Sequence, residues 1–367
     1  MRQKIGINNL VRGAMFFEHA GVSIVYVFMP ILAKSLTNSV FEVGITVATF
    51  FFAQIMSSLY FGRISDKHGK RLIFIQIGFI GSAIAFGLHY FADNSFYLLL
   101  ARLGAGIASG MIVPTMLAYT YESGKDKAKV ASIISFHALG WLAGIVSAGI
   151  ANNEKTIFLI SAGFFLVGLA LSSRLPNYTM PRETGKGTTI VVIAKNKHLF
   201  LSLLLRHIGA TSVWTILPLV LTETFHAKLY EVSLVYVANT ATAFVLMNLM
   251  ASKIKTKNIT KFKIGVGLTV FVFLGMALMT SWWMAIPSMA LVGATWAFLY
   301  IGGSIHLMEN NPKSTSTGVF NSTIAIANVI GPVIAGALAF YYNNVSVVYF
   351  AVGICIVAFL VSLKIKK

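Results

Sequence analysis

The sequence predicts an all-α membrane protein with twelve transmembrane helices in two parallel-duplicated six-helix bundles, with both termini in the cytoplasm. Three observations predict this fold class: long apolar stretches, Lys and Arg residues on alternate flanks, and an internal repeat. The chain is 57% hydrophobic and 11% charged, whereas a soluble domain carries roughly 25% charged residues. Composition therefore indicates that most of the chain is surrounded by lipid.

Each apolar stretch is long enough to cross the hydrocarbon core, which takes about 20 residues of helix. A helix satisfies its own backbone hydrogen bonds, so it is the simplest structure for such a stretch in lipid. We place the spans at residues 7–33, 42–62, 72–91, 96–121, 130–151, 156–173, 198–221, 231–251, 264–280, 284–308, 315–341 and 345–363.

The basic residues define an orientation for these spans. All but five of the 29 Lys and Arg residues fall on the side that holds both termini. The opposite side receives Lys34, Lys155 and Lys228, and the other two exceptions, Arg102 and Arg206, lie inside spans. Loops rich in Lys and Arg stay cytoplasmic, which places the termini in the cytoplasm. The net charge of +18 is thus an orientation signal and not a nucleic-acid footprint.

The second half of the chain repeats the first. With a shift of 188, residues 16–33 align with 204–221, which pairs His19 with His207 and Pro30 with Pro218. A shift of 189 aligns 40–45 with 229–234 and 101–105 with 290–294, and a shift of 187 aligns Gly144 with Gly331. Two halves of equal orientation indicate a parallel duplication, in which two bundles rock to open a cleft to alternate sides.

This repeat predicts the domain organisation. Residues 1–173 form the N-terminal six-helix bundle and residues 198–367 form the C-terminal one. The segment between them, 174–197, contains Pro176, Pro181, Gly185 and several charges, and we interpret it as a cytoplasmic linker.

Three charged residues lie inside the predicted spans. Glu18 aligns with Arg206 in the repeat, and Arg102 aligns with Leu291, so Arg102 is not needed merely to build the bundle. Charges in a span are costly, usually face the bundle interior and by default mark a function. The alternatives are a buried ion pair of Glu18 with an Arg that only fixes helix register, and an Arg206 that snorkels toward the cytoplasm.

Glu18 is the best candidate for a proton carrier. Burial disfavours the charged form of a carboxyl group, so a small change of surroundings can load or release a proton. Arg102 would favour the ionised form if it came close. Histidine side chains ordinarily titrate near neutral pH, so His19 and His207 are further candidates to carry protons. The alternative is that they only supply hydrogen bonds. The predicted proton-coupling residues are Glu18, Arg102, His19, Arg206 and His207.

Several large polar side chains are candidates for a substrate cavity. His137 and Trp141 are four residues apart and therefore share a helix face. The alternative interpretation is aromatic packing or anchoring at the membrane interface. The predicted cavity residues are Tyr26, His137, Trp141, Trp214 and Trp296.

A basic motif connects the second and third spans. Residues 62–71, GRISDKHGKR, match G-x-x-x-D-[RK]-x-G-[RK]-[RK] at every fixed position. The motif resembles the signature cytoplasmic loop of the major facilitator superfamily, and its place after span two is the one that the family requires. The resemblance implies the major facilitator fold and a gate loop made of Gly62, Asp66, Lys67, Gly69, Lys70 and Arg71.

Other residues resemble the drug/proton antiporter branch of that superfamily. Arg102-Leu103-Gly104-Ala105-Gly106 is similar to the fourth-helix motif R-x-x-x-G, which the family associates with proton coupling. An acid in the first span, here Glu18, handles protons and cationic drugs in that branch. The fifth-helix motif G-x-x-x-G-P-x-x-G is incomplete, because Ile145 stands where Pro is expected.

The resemblance implies a secondary active transporter that works by alternating access, with a proton-coupled multidrug exporter of lipophilic or cationic compounds as the leading hypothesis. The alternative is a proton symporter or facilitator for a sugar or organic anion, because two buried arginines against one glutamate suit an anion. An enzyme is not supported, since the sequence lacks H-E-x-x-H and a phosphate loop.

The remaining expectations concern partners and location. We expect a small-molecule substrate, protons as coupling ion and the lipid bilayer as partners, with no nucleic acid, no cofactor and no metal. A monomer in a prokaryotic plasma membrane is the simplest interpretation. The single Cys355 excludes a disulfide within the chain.

Overall fold

The computed structural model describes residues 2–37, 39–124, 127–153, 155–177, 189–252, 254, 256–311 and 313–365. The described part is nearly all helical. Its helices are α1 (Arg2–Tyr26), α2 (Met29–Leu36), α3 (Val40–His68), α4 (Arg71–Leu88), α5 (Ser95–Gly124), α6 (Lys127–Ala151), α7 (Thr156–Ser172), α8 (Thr189–Lys195), α9 (Lys197–Leu219), α10 (Leu229–Ser252), α11 (Asn258–Ala277), α12 (Ala285–Asn310), α13 (Lys313–Tyr341) and α14 (Asn344–Leu363).

Nine helical segments of the described chain are long and apolar enough to cross a membrane. A tenth candidate is the bent pair Gly6–Tyr26 and Met29–Leu36, and two shorter apolar helices cover Phe136–Ala151 and Thr156–Ser172. Each predicted span therefore coincides with an apolar helix. The count of twelve membrane crossings and the cytoplasmic position of the termini remain predictions.

The first predicted span is broken rather than continuous. Its two helices meet at an angle of 42° after Tyr26. Pro30 occupies the first turn of α2. It lacks an N–H, and in a continuous helix its ring would collide with the carbonyl four residues earlier, that of Tyr26. The break therefore follows from Pro30.

The chain forms two compact units. Unit 1 contains Met1–Asn38 and Thr49–Thr184, and unit 2 contains Ser39–Ala48 and Gly185–Lys367. Within unit 1, α1 packs against α6 and α7, and α4 packs against α5 and α7. Within unit 2, α9 packs against α13 and α14, and α11 packs against α12 and α14. Most of the predicted linker, residues 178–188, lies outside the described residues, so its boundaries stay a prediction.

Small residues repeat the same close contacts in both units. A side chain on Gly144 of α6 would collide with the Ala20 carbonyl of α1, and one on Gly331 of α13 would meet the Ile208 carbonyl of α9 at 2.9 Å. Ala20 and Ile208 are equivalent by the shift of 188. Glycine is required at these points because the helix backbones touch.

One register of the predicted repeat is wrong by two residues. A side chain on Gly106 would meet the Gln54 nitrogen at 3.2 Å, and one on Gly293 would meet the equivalent Ala243 nitrogen at 2.8 Å. Gly106 is thus the counterpart of Gly293, a shift of 187 in place of the predicted 189. Arg102 therefore corresponds to Met289 and not to Leu291.

Candidate functional site

A buried polar cluster in unit 1 surrounds Glu18. Glu18 is 1% exposed, although it lies in the middle of the apolar helix α1. Its Oε1 accepts a hydrogen bond from Ser109 Oγ of α5 at 3.2 Å. Ser109 Oγ in turn accepts one from Gln54 Nε2 of α3 at 3.1 Å. The helices α1, α3 and α5 therefore contribute one polar group each to a single chain of donors that ends on the carboxylate.

The second carboxylate oxygen has a different environment. Glu18 Oε2 lies 2.5 Å from His19 Nδ1, yet none of the described residues gives it a well-directed hydrogen bond. The Nδ1 atom also lies 3.0 Å from the Met15 carbonyl oxygen, and a carbonyl only accepts, so the Nδ1 proton is directed there. Oε2 is therefore a buried acceptor whose polar contact among the described residues is an imidazole. Buried polar atoms are rarely left in this state.

His19 connects the acid to a second imidazole. Its ring stacks on that of His137 from α6, with 3.7 Å between the ring centroids. His137 is stacked in turn on Trp141, one helical turn along α6. The cluster thus places a carboxyl group and two imidazoles in sequence, from α1 to α6.

The aromatic residues Tyr26 and Trp141 continue this cluster along α1. Their ring centroids are 5.3 Å apart, and Tyr26 also contacts Phe51 of α3 at 5.9 Å. The Trp141 Nε1 atom is buried and has no hydrogen-bond partner among the described residues. Of the five predicted cavity residues, Tyr26, His137 and Trp141 are thus in contact with each other or with the Glu18 cluster.

Arg102 is buried in unit 1 but is not a contact of Glu18. It is 2% exposed, and its guanidinium lies 4.4 Å from the ring centroid of Phe50, in the arrangement of a cation–π interaction. Arg102 precedes Ser109 by two helical turns, which separates them by about 10 Å along α5. Among the described residues, the polar partners of the Glu18 side chain are Ser109 and His19.

A second polar cluster lies in unit 2 around Arg206 of α9. Arg206 is 1% exposed, so it does not snorkel to solvent. Its Nε and Nη2 atoms donate hydrogen bonds of 3.0 Å to Thr269 Oγ1 and Thr295 Oγ1. Each hydroxyl directs its own proton at a backbone carbonyl, that of Gly265 or Val292, which leaves its lone pairs facing the guanidinium.

His207 belongs to this second cluster. Its Nδ1 lies 3.4 Å from Arg206 Nη1, and its ring lies 5.5 Å from that of Trp296. Trp214 is placed elsewhere in unit 2, against Tyr236 at 6.1 Å between ring centroids. No carboxylate is among the contacts that the described residues make with Arg206. The two clusters occupy equivalent positions in the repeat, but one is centred on an acid and the other on a base.

The predicted gate loop is mostly helix. α3 continues through Gly62 and ends at His68, and the chain reverses at Gly69, whose φ of 65° is a conformation that favours glycine. Lys70 precedes α4, and Arg71 Nη1 donates a hydrogen bond of 3.0 Å to Ser65 Oγ across the turn. The side chains of Asp66 and Lys67 lie outside the described residues.

Sequence reasoning did not single out Gln54, Ser109, Thr269 or Thr295. Serine and threonine are common in apolar helices, where they bond their own backbone, so their presence alone is a weak signal. The available signal was their position: Ser109 lies within the small-residue stretch of α5 beside the helices that carry Gln54 and Glu18. The described residues contain no group of three His, Cys, Asp or Glu side chains arranged to hold a metal ion.

Comparison with known proteins agrees with this architecture. The model of the Major Facilitator Superfamily matches residues 13–316 and 199–366. The multidrug resistance protein MdtG of Proteus mirabilis is 22% identical over 379 residues, which cover 92% of this chain and 90% of that protein. The quinolone resistance protein NorA of Staphylococcus aureus is 27% identical over 166 residues, covering 45% of this chain and 38% of NorA.

Solved structures show the same fold at low sequence identity. The nucleoside transporter NupG superposes with a TM-score of 0.81 and 12% identity, over 98% of this chain and 100% of that one. The human organic anion transporter MFSD10 gives a TM-score of 0.71 and 13% identity, over 97% of this chain and 99% of that one. The chain therefore belongs to the Major Facilitator Superfamily and is a membrane transporter.

Proposed function

We propose that the protein is a proton-coupled exporter of lipophilic or cationic compounds, with Glu18 as the proton carrier. The observation that carries the proposal is the pair of unequal carboxylate oxygens. Oε1 is held by Ser109, whereas Oε2 is buried beside His19 and receives no directed hydrogen bond from the described residues. A carboxyl group in this position can accept a proton at Oε2 while Ser109 holds the group in place.

The relay connects three helices, because Gln54 donates to Ser109 and Ser109 donates to Glu18 Oε1. Movement of these helices would break the relay and change the contacts of the carboxyl group. His19 and His137 supply a neighbouring place for the released proton. Movement of α5 relative to α1 would thus change the proton affinity of the site, which is the coupling that an antiporter needs.

The substrate class follows from the aromatic side of the same cluster. Tyr26 and Trp141 pack edge to face, and Trp141 is connected to Glu18 through His137 and His19. Lipophilic cations bind to aromatic faces of this kind. The Trp141 N–H, which has no partner among the described residues, provides a donor for a polar substituent. Two relatives that the chain matches carry names of multidrug and quinolone resistance.

The test is transport of ethidium, a lipophilic cation, into proteoliposomes with an imposed pH gradient. We expect the Glu18→Gln variant to lose gradient-driven transport. Glu223→Gln, which makes the same chemical change on an exposed acid, is the matched control and should transport like the parent protein. Undiminished transport by Glu18→Gln would remove Glu18 from the coupling mechanism.

The second candidate is a symporter or facilitator for an organic anion or a sugar. It is favoured by Arg206, a buried cation whose described partners are neutral hydroxyls and an imidazole. A binding comparison of ethidium with carboxyfluorescein, an organic anion, separates the two candidates. Tighter binding of the anion, lost in Arg206→Gln, would favour the second candidate.

The same proposal includes the topology: twelve spans, both termini in the cytoplasm of a prokaryotic cell and a monomeric state. Cys355 is the single cysteine of the sequence, so a Cys355→Ala background leaves no native thiol. Lys228→Cys and Lys257→Cys then place single thiols on the two predicted sides. An impermeant maleimide applied outside intact cells should label Lys228→Cys and not Lys257→Cys.

A further inference from the structure

A basic groove lies at one end of unit 2, and none of its lining residues belongs to the Arg206 cluster. Its volume is about 870 Å³, and four lysines line it: Lys195, Lys197, Lys257 and Lys364. Of the described residues that line it, Glu309 alone is acidic, and its Oε1 already accepts a hydrogen bond of 2.8 Å from Asn258 Nδ2. The groove therefore carries a net positive charge and is complementary to an anion.

The groove surrounds the ends of four candidate membrane spans. Spans begin at Lys197 and Asn258, and others end at Glu309 and Leu363. Lipid headgroups lie at this level of a bilayer, just outside the hydrocarbon core. Basic pockets between helix ends at this level bind anionic lipid headgroups.

The groove is held in shape by hydrogen bonds of its own. Lys263 Nζ donates to the carbonyl oxygens of Leu363 and Ile365, at 3.5 and 3.0 Å, which fixes the end of α14 beside Lys364. Asn196 Nδ2 donates to the Val192 carbonyl and to Asn311 Oδ1, at 2.9 and 3.3 Å, which fixes the corner between α8 and α9. The four lysines thus project from anchored segments.

The short helix α8 adds an apolar surface next to this charge. Val192 is 1% exposed and packs in the core of unit 2. Its neighbours point the other way: Ile190, Val191 and Ile193 are 82%, 61% and 43% exposed. A short helix with an anchored side, an exposed apolar side and adjacent lysines is typical of a segment that lies in the membrane interface.

We propose that this groove binds the headgroup of an anionic phospholipid, with the acyl chains against the exposed side of α8. Charge complementarity selects the anionic headgroup, and Ile190, Val191 and Ile193 select a lipid over a soluble phosphate. The inference is independent of the proposed proton coupling, because none of these residues belongs to the Glu18 or Arg206 cluster.

The test uses the full-length protein in detergent, titrated with short-chain phosphatidylglycerol, short-chain phosphatidylcholine and glycerol 3-phosphate. We expect phosphatidylglycerol to bind at least about tenfold more tightly than either of the other two. Equal binding of phosphatidylcholine would show that charge does not select the ligand. Equal binding of glycerol 3-phosphate would show a site for a soluble anion, and either outcome overturns the proposal.

A triple variant, Lys197→Gln, Lys257→Gln and Lys364→Gln, should weaken binding of phosphatidylglycerol on the order of 100-fold. The matched control removes three lysine charges from the predicted opposite flank: Lys34→Gln, Lys155→Gln and Lys228→Gln. This control should change binding by less than about threefold, because the predicted topology places these charges on the other side of the bilayer, beyond the screening length. Equal losses in the two triple variants would overturn the proposal.

A double variant on α8 keeps the test informative if the lysine variant folds poorly. Ile190→Gln with Ile193→Gln changes only exposed side chains. It should weaken phosphatidylglycerol binding about tenfold through lost apolar contact and leave glycerol 3-phosphate binding unchanged. Unchanged phosphatidylglycerol binding in this variant would contradict the role of α8.

Discussion

The contact between α1 and α6 holds the Glu18 cluster together, and Gly140 is where it can be perturbed. The Cβ of a Gly140→Ala variant would lie 3.0 Å from His19 Cβ and 3.2 Å from the Ala20 nitrogen, and closer still to the Phe16 carbonyl. Two of these three neighbours are backbone atoms, so the helices must separate. The substitution therefore moves α6, with its His137, away from His19.

The expected magnitude combines two opposing terms. Overpacking of a well-packed contact costs about 1–3 kcal/mol, whereas replacing glycine by alanine within a helix recovers about 1 kcal/mol of helix propensity. Gly140→Ala should therefore lose up to about 2 kcal/mol of unfolding free energy. Gly163 of α7 is the matched control, because nothing lies within 4 Å of its added Cβ. Gly163→Ala should gain up to about 1 kcal/mol.

The assay is equilibrium unfolding of the purified protein in detergent, with gradient-driven ethidium transport measured on the same preparations. Gly140→Ala should unfold more readily than the parent and transport more slowly, while Gly163→Ala should be at least as stable and equally active. If both variants are stabilised alike, α1 and α6 are not in close contact at Gly140, and the geometry described for His19 and His137 is wrong.

Two further predictions concern the hydroxyl groups of the two clusters. Ser109→Ala removes the donor to the buried Glu18 Oε1, so it should lower the unfolding free energy by about 1–3 kcal/mol and slow gradient-driven ethidium transport. Thr269→Val and Thr295→Val each leave Arg206 with an unmet donor in a buried position, and each should lower the unfolding free energy by about 1.5–3 kcal/mol.

Conservative variants control these predictions. Ser161 donates a hydrogen bond of 2.6 Å to the Gly21 carbonyl within the same unit, and Ser161→Ala should leave gradient-driven transport unchanged. Equal slowing of transport in both serine variants would contradict the role of Ser109. Thr295→Ser retains the hydroxyl and should be nearly as stable as the parent, whereas a loss equal to that of Thr295→Val would point to packing in place of hydrogen bonding.

The helices were predictable because the length of an apolar stretch is directly tied to membrane thickness. The ends of the helices differ from the predicted ends where turn-forming residues, and not hydropathy, determine where a helix stops. α3 continues past Gly62 to His68, because polar residues can extend a helix into the aqueous phase. The chain reverses only at Gly69. Pro30 was visible in the sequence, but the prediction placed residues 7–33 in one continuous span.

The sequence predicted only those residues of the candidate site whose charge is energetically unfavourable in lipid. Glu18, Arg102 and Arg206 were singled out by their charge, and all three are buried. The partners Ser109 and Gln54 were not, because neutral polar residues in a helix carry no such cost. The pairing of Glu18 with Ser109, and of Arg102 with Phe50, depends on the packing of α1, α3 and α5, which periodicity does not specify.

The repeat was predictable in outline but not in register. Short matches such as 101–105 with 290–294 tolerate a slip of two residues, because small apolar residues recur along both helices. The backbone contacts of Gly106 and Gly293 resolve the slip. In the corrected register Ser109 corresponds to Trp296, so the acid-binding hydroxyl of one half is replaced by an aromatic ring beside His207 in the other.

One measurement addresses the central claim most directly: ethidium exchange compared with gradient-driven accumulation in the same Glu18→Gln proteoliposomes. Exchange of substrate for substrate needs no net proton movement, whereas accumulation does. We predict that Glu18→Gln keeps exchange and loses accumulation, while Glu223→Gln keeps both. Accumulation at the parental level in Glu18→Gln, with exchange intact, would show that the proton travels by another group.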